Sequence, residues 1–404
     1  MLDKGASEGL PGLPERFRLT PEFRLLAACS WVAPALLEQA QKEKIDSLCH
    51  GEIDWEAFLA LVERHRVPSL AYATLSRYTG DGIPHNVREK LQQRNRQERM
   101  QALLQAAELV RLIKLFTEQG IDVLPLKGVF LSHQLYDDLG MRSFGDLDIM
   151  VKPEHVDQAA RILLAEGYYC DWLGMALTAR QEQQIREQIH HLSFAHAERG
   201  LHLELHRNFG PWLPEQVAML LHHTQLQEWQ GSVVNYLDND ALLLLLCDHG
   251  ARHEWFRLKW LSDVARLLAA ARVTSWESLF ALARRLDLQR TLAHSALLVH
   301  WIYDIPLPAQ LYELIGQEKL IASLSTRAMA AILKGEKELT AAGAALRVAR
   351  QMKQLRPSLP YSVLLKSVMT SGNDWQMIPL PDALFWLYYP LRPFLWFYRH
   401  YIRK

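Results

Sequence analysis

Residues 124–151 run LPLKGVFLSHQLYDDLGMRSFGDLDIMV. The stretch opens on an apolar run, turns at Lys127-Gly128, and has the periodicity of a short helix through Tyr136. A polar loop then carries Arg142 and Ser143. Asp146-Leu147-Asp148-Ile149-Met150-Val151 follows, alternating acid and apolar like a half-buried strand. Side chains two apart on a strand share a face. Asp146 and Asp148 therefore point one way, and Leu147 and Ile149 go into a core. Two adjacent carboxylates repel, and an oxygen-preferring divalent cation, most often Mg²⁺, relieves that repulsion.

Downstream, residues 191–196 (HLSFAH) and 201–206 (LHLELH) alternate on either side of Ala197-Glu198-Arg199-Gly200, a hairpin signal. On the second arm Leu201, Leu203 and Leu205 take one face, and His202, Glu204 and His206 take the other. A carboxylate between two histidines on a polar strand face has the form of a further metal ligand.

The flanks are helical in pattern. Residues 18–119 contain several amphipathic segments, with Asp54 placed to cap the helix that begins at Trp55. The last of these segments is long and ends at Gly120, where a C-terminal glycine is expected. Residues 121–126 read as the first strand. Pro153 opens a helix that stops at Gly167, residues 168–172 read as another strand, and residues 180–189 as a charged helix or loop. From residue 213 to about 337 the pattern is helical throughout, with Thr274 or Ser275 capping a helix at Trp276. The organisation expected is a loose N-terminus (1–17), an N-terminal helical region (18–119), a core (120–212), a C-terminal helical region (213–340) and a basic, aromatic tail (341–404).

The 404 residues balance 45 basic against 45 acidic side chains. No global basic field points to nucleic acid. Cys29, Cys49, Cys170 and Cys247 stand far apart, as buried thiols of a reducing compartment do. The N-terminus has no apolar signal region and no run reaches membrane-spanning length, so the expected location is cytoplasmic.

Lys-Gly at a strand end, a helix, an Arg-Ser loop and Asp-x-Asp on a strand resemble the DNA polymerase β-type nucleotidyltransferase superfamily, and more closely the uncharacterised bacterial nucleotidyltransferases. The wider superfamily usually has Gly-Gly or Gly-Ser at Lys127-Gly128 and a shorter gap to the acids. The resemblance is most specific over residues 124–209. It implies an α+β fold, with a small mixed sheet forming a nucleotidyltransferase core within a mostly helical protein. It also implies a third acid on a later strand, a role that falls to Glu204. Asp146, Asp148 and Glu204 would hold two Mg²⁺ or Mn²⁺ ions about 3.5–4 Å apart. Lys127, Gly128, Arg142 and Ser143 would bind the triphosphate of an NTP donor. The acceptor, a small molecule, peptide or protein, is left open.

Each feature has a plainer reading. Asp-x-Asp also occurs as an ordinary acidic turn, and Lys127 as a solvated lysine at a helix start. Arg142 can equally pair with Asp138 or Asp146 to order its loop. His202 and His206 suit zinc or manganese as ligands, but more often such residues orient a carboxylate or line a cleft. His249 and His253 are four apart on a helix without the HExxH glutamate; with Lys259 they are candidate cleft-lining groups. The run from Trp386 to Tyr401, flanked by Arg392, Arg399, His400, Arg403 and Lys404, fits a peripheral membrane contact or a segment packed on the helical core. The basic helix around residues 347–356 fits a solvated face, or a contact with nucleic acid or phospholipid. Two alternatives to an enzyme follow: a non-catalytic nucleotide- or peptide-binding module, and a membrane-surface accessory protein of a biosynthetic or envelope pathway.

Overall fold

The structure is a computed structural model and describes residues 10–78, 80, 82–170, 178–188, 190–270, 275–334, 344–364 and 372–398. Helices α1 (Pro21–Cys29), α2 (Ala35–Cys49), α3 (Trp55–His65), α4 (Pro68–Leu75) and α5 (His85–Glu118) precede the sheet. Asp54 caps α3, accepting from the backbone N–H of Glu56 and Ala57 at 3.0 Å each. Gly120 follows α5 in the left-handed region.

The core sheet has the order β1 (Leu124–Pro125), β2 (Leu147–Met150), β4 (Leu201–His206), β3 (His191–His196). β1 runs antiparallel to β2, β2 parallel to β4, and β3 antiparallel to β4. The fold is α+β with a small mixed sheet. Helix α6 (Gly128–Tyr136) connects β1 to β2, and α7 (Val156–Ala165) follows β2 after one turn of 3₁₀ helix at Pro153–His155. Tyr169 makes a single bridge to Ala195. The rest of the strand expected at 168–172 runs into residues outside the described set. The charged segment after it is helix α8 (Ala179–Gln188).

Register follows from the leucines. Leu147 pairs with Leu203 and Ile149 with Leu205 in the parallel ladder, while Leu192 and Phe194 oppose the same two leucines from β3. All but the half-buried Leu192 are buried in one cluster with α5 (Leu109, Leu112, Phe116) and α7 (Ala159, Leu163). A slip of one residue would turn this whole set towards the other face. The other face carries Asp148, His191, Ser193, Glu204 and His206.

The region after residue 213 is not helical throughout. Between α9 (Pro214–Leu221) and α10 (Asn239–Arg252), β5 (Thr224–Trp229) and β6 (Ser232–Leu237) form a hairpin. Gln230 and Gly231 both take positive φ, 51° and 72°, the geometry of a two-residue turn matched to strand twist. Then come α11 (Leu258–Ala269), α12 (Trp276–Arg285), α13 (Gln289–Tyr303), α14 (Ala309–Gln317), α15 (Lys319–Lys334) and α16 (Ala344–Leu355). Ser275 caps α12; Thr274 lies outside the described residues. Helices from both ends of the sequence share one core, in which Leu25, Leu26 and Phe58 pack in the same cluster as Leu244, Leu261 and Leu297.

On α16 Arg347 and Arg350 are exposed and Lys353 is half-buried, as a solvated basic face would have them, but the last arginine of the segment is not part of that face. Arg356 is fully buried, with Nη1 3.2 Å from Asp248 Oδ1 and Nη2 2.7 Å from Gln216 Oε1. In the tail, Phe385, Tyr388 and Leu395 pack inward, while Trp386 and Phe394 are exposed. Its last basic residues, 399–404, lie outside the described set. Among the described residues no helix is long and apolar enough to cross a membrane. All four cysteines are buried and free.

Candidate functional site

The parallel register places Asp148 directly beside Glu204. Asp146 stands just before β2. One oxygen from each of the three carboxylates lies within 4.8 Å of the others. Lys127, at the N-terminal end of α6, reaches back over the pair with Nζ 2.9 Å from Asp148 Oδ1. His206 Nε2 lies 3.0 Å from the same oxygen and 3.2 Å from Glu204 Oε2. His191, across the β3–β4 ladder from His206, brings Nε2 to 3.5 Å from Glu204 Oε1. Burial by itself would raise the Asp148 carboxyl, but Lys127 and His206 together hold it well below the usual range. Asp146 is pushed up, by burial first and then by the charges of Asp148 and Glu204. Three carboxylates thus share two cationic partners, Lys127 and His206.

These residues floor a cleft of about 320 Å³. Its opposite wall is helical and basic. Arg66 is the left-handed C-cap of α3, Arg252 ends α10, and Arg257 and Lys259 start α11. His65 ties two of these ends together, its Nδ1 accepting the Leu258 N–H at 3.1 Å. Lys259 is buried and donates to the Ser143 carbonyl at 3.3 Å. Burial, then the neighbouring Arg142 and Arg66, pulls its ammonium down to about 7. His249 and His253 pack edge-to-face at 4.7 Å, and His253 stacks on Trp260 at 4.8 Å. Burial lowers both, His253 to about 3, so they are neutral wall groups.

Of the residues singled out in the sequence, Lys127, Arg142, Asp146, Asp148, Glu204, His206, His249, His253 and Lys259 line this cleft. Arg142 pairs with neither Asp138 nor Asp146. Its Nε is 2.8 Å from Asp263 Oδ2, and both side chains are buried. Asp138 is taken by Arg99. Ser143 is buried and meets Lys259 through its carbonyl. Gly128 opens α6 at φ +68° with its Cα beside the Asp146 carbonyl. His202 is not a lining residue: it pairs with Ala195 near the start of β4 and is exposed, two residues short of the cleft.

The donor set fits a divalent cation. Three carboxylates converge, one of them destabilised by the other two, and the oxygens are the hard ligands that Mg²⁺ and Mn²⁺ take.

A family model described as uncharacterised nucleotidyltransferase matches residues 51–304, well over half of the chain. The chain belongs to that family. A comparison with curated proteins found no match, and a comparison with solved structures found none either. The stretch that the family model covers begins before α3 and ends after α13, so it takes in both the acidic floor and the basic wall. Sequence reasoning missed His191, Arg66, Arg252 and Arg257. His191 was within reach, because the hairpin pairing sets it opposite His206. The three arginines sit at helix ends with no spacing to mark them.

Proposed function

We propose that the protein transfers a nucleoside monophosphate from an NTP to the hydroxyl of an acceptor, with release of pyrophosphate. The observation that carries this reading is the convergence of Asp146, Asp148 and Glu204 within 4.8 Å on the floor of a cleft whose far wall is cationic. The acceptor oxygen bonds to the α-phosphorus, the bond from that phosphorus to the bridging oxygen breaks, and the hydroxyl proton leaves to solvent. Two divalent ions held by the three carboxylates would supply neutralising charge and lower the pKa of the hydroxyl.

The chain's own groups have the following parts. Lys127 keeps Asp148 ionised and adds positive charge where α6 begins. Arg142, fixed by Asp263, and Lys259 offer charge to the phosphates from the wall. Gly128 leaves the backbone open at the same place. Trp260 and His253 form a stacked pair on the wall that helps to exclude water.

The test uses the full chain, each labelled NTP, Mg²⁺ or Mn²⁺, and a host lysate as acceptor source. Wild type is expected to transfer label from at least one NTP. Asp148→Asn should lose about 10²–10³-fold or more of that rate, the scale of removing one preorganised electrostatic group. Nucleotide binding without transfer by the wild type, with any NTP, would leave a binding module instead.

A further inference from the structure

We propose that His191, Glu204 and His206 form a nitrogen-ligated ion position that takes a transition-metal cation of the Mn²⁺ or Zn²⁺ class, next to the oxygen-only cluster. Its catalytic purpose rests on the nucleotidyltransferase reading; ion binding at this position does not.

The argument begins with the ladder. His191 and His206 are directly opposed on β3 and β4, and Glu204 is two residues from His206 on the same face. Strand geometry therefore delivers all three side chains to one spot without help from a loop. The imidazole centroids are 5.0 Å apart. His191 Nε2 is 3.5 Å from one Glu204 oxygen and His206 Nε2 is 3.2 Å from the other, and the three donor atoms fit within 4.8 Å of one another. Ligands bonded at 2.0–2.2 Å to a tetrahedral ion lie about 3.3–3.6 Å apart. The two histidine–carboxylate separations, one to each Glu204 oxygen, are on that scale, and the set as a whole closes within 4.8 Å, so an inward shift of about an ångström brings the three around a cation.

Ligand chemistry then sets which cation. Asp146, Asp148 and Glu204 present oxygen alone and suit Mg²⁺. Two imidazoles and a carboxylate suit Mn²⁺ or Zn²⁺ far better, because Mg²⁺ gains little from nitrogen donors. Glu204 belongs to both groups, and His206 Nε2 faces Asp148 as well as Glu204. The two positions are thus adjacent and share a carboxylate. All three residues line the open cleft, so an ion can enter from solvent. The competing role for the histidines is to hold Glu204 by hydrogen bonds alone.

Mn²⁺ binding to the nucleotide-free full chain separates the two, read by electron spin-echo modulation. Protein prepared with natural-abundance histidine and with ¹⁵N-histidine is compared. The expected result is a ¹⁴N modulation that disappears on ¹⁵N-histidine labelling. His191→Gln should weaken Mn²⁺ affinity at least tenfold while its circular dichroism matches wild type, and Asp146→Asn should keep the nitrogen signal. An oxygen-only spectrum in the wild type overturns the proposal. So does Mn²⁺ affinity unchanged in His191→Gln, or a histidine nitrogen signal that survives in the double variant His191→Gln/His206→Gln. The readout needs no turnover. Absence of label transfer would therefore sink the proposed reaction and leave this site standing, and the reverse holds for an oxygen-only spectrum.

Discussion

Lys259 carries its ammonium into a wall already occupied by Arg66, Arg142 and Arg257. Its pKa of about 7, against 10.5 for an ordinary lysine, means the folded protein disfavours its proton. Between those values the unfolded chain binds more protons than the native one at this group, so stability rises with pH through that window. Lys259→Met removes the linkage. The variant should melt above wild type at pH 6–7, and the gap should narrow as pH approaches 10; a pH series of thermal melts checks it. An anion entering the cleft should draw a proton onto Lys259, so calorimetry with tripolyphosphate at pH 8 should report proton uptake that Lys259→Met lacks. At this scale the sequence was informative wherever spacing on one strand did the work, as for Asp148 with Leu147 and Ile149. It was silent on Arg142 and Asp263, 121 residues apart, because no local pattern records which distant carboxylate a buried guanidinium meets.

Helix and strand boundaries followed the same division. The cap at Asp54, the stop at Gly120, the helix to Tyr136 and the hairpin of β3 and β4 have local causes, and all were legible. The hairpin of β5 and β6 was not: Gln230 is an unusual residue for positive φ, and the leucine-rich helix after it dominates the window. Gly128 allows a test at the scale of α6. Its φ of +68° costs an L-residue about 1–2 kcal/mol. A Cβ there would meet the Asp146 carbonyl at 3.4 Å, an ordinary contact, so strain and not crowding dominates. Gly128→Ala should lose about 1–2 kcal/mol in urea unfolding, with a further fall in nucleotide affinity as the turn moves against Asp146. Unchanged stability would mean that the turn relaxes.

Across the whole molecule, Asp248 joins parts that are distant in sequence. It accepts from Trp212 Nε1 at 2.9 Å, Arg252 Nε at 3.2 Å and Arg356 Nη1 at 3.2 Å. Asp248 and Arg356 are both fully buried. Asp248→Ala leaves a buried guanidinium with one charge partner removed, and should cost about 3–5 kcal/mol in denaturant unfolding. Asp248→Asn, which keeps a hydrogen-bond acceptor, should cost less. That the helices before and after the sheet close over a common interior was beyond sequence reading, since amphipathic patterns show which face is buried and not against what.

The cleft draws its floor from one stretch of chain and its far wall from others. A piece cut at residues 120 and 212 would carry every carboxylate of the floor and none of Arg66, Arg252, Arg257 or Lys259. The chemistry is therefore not a cassette that can be excised or grafted onto another scaffold; its parts come as a set.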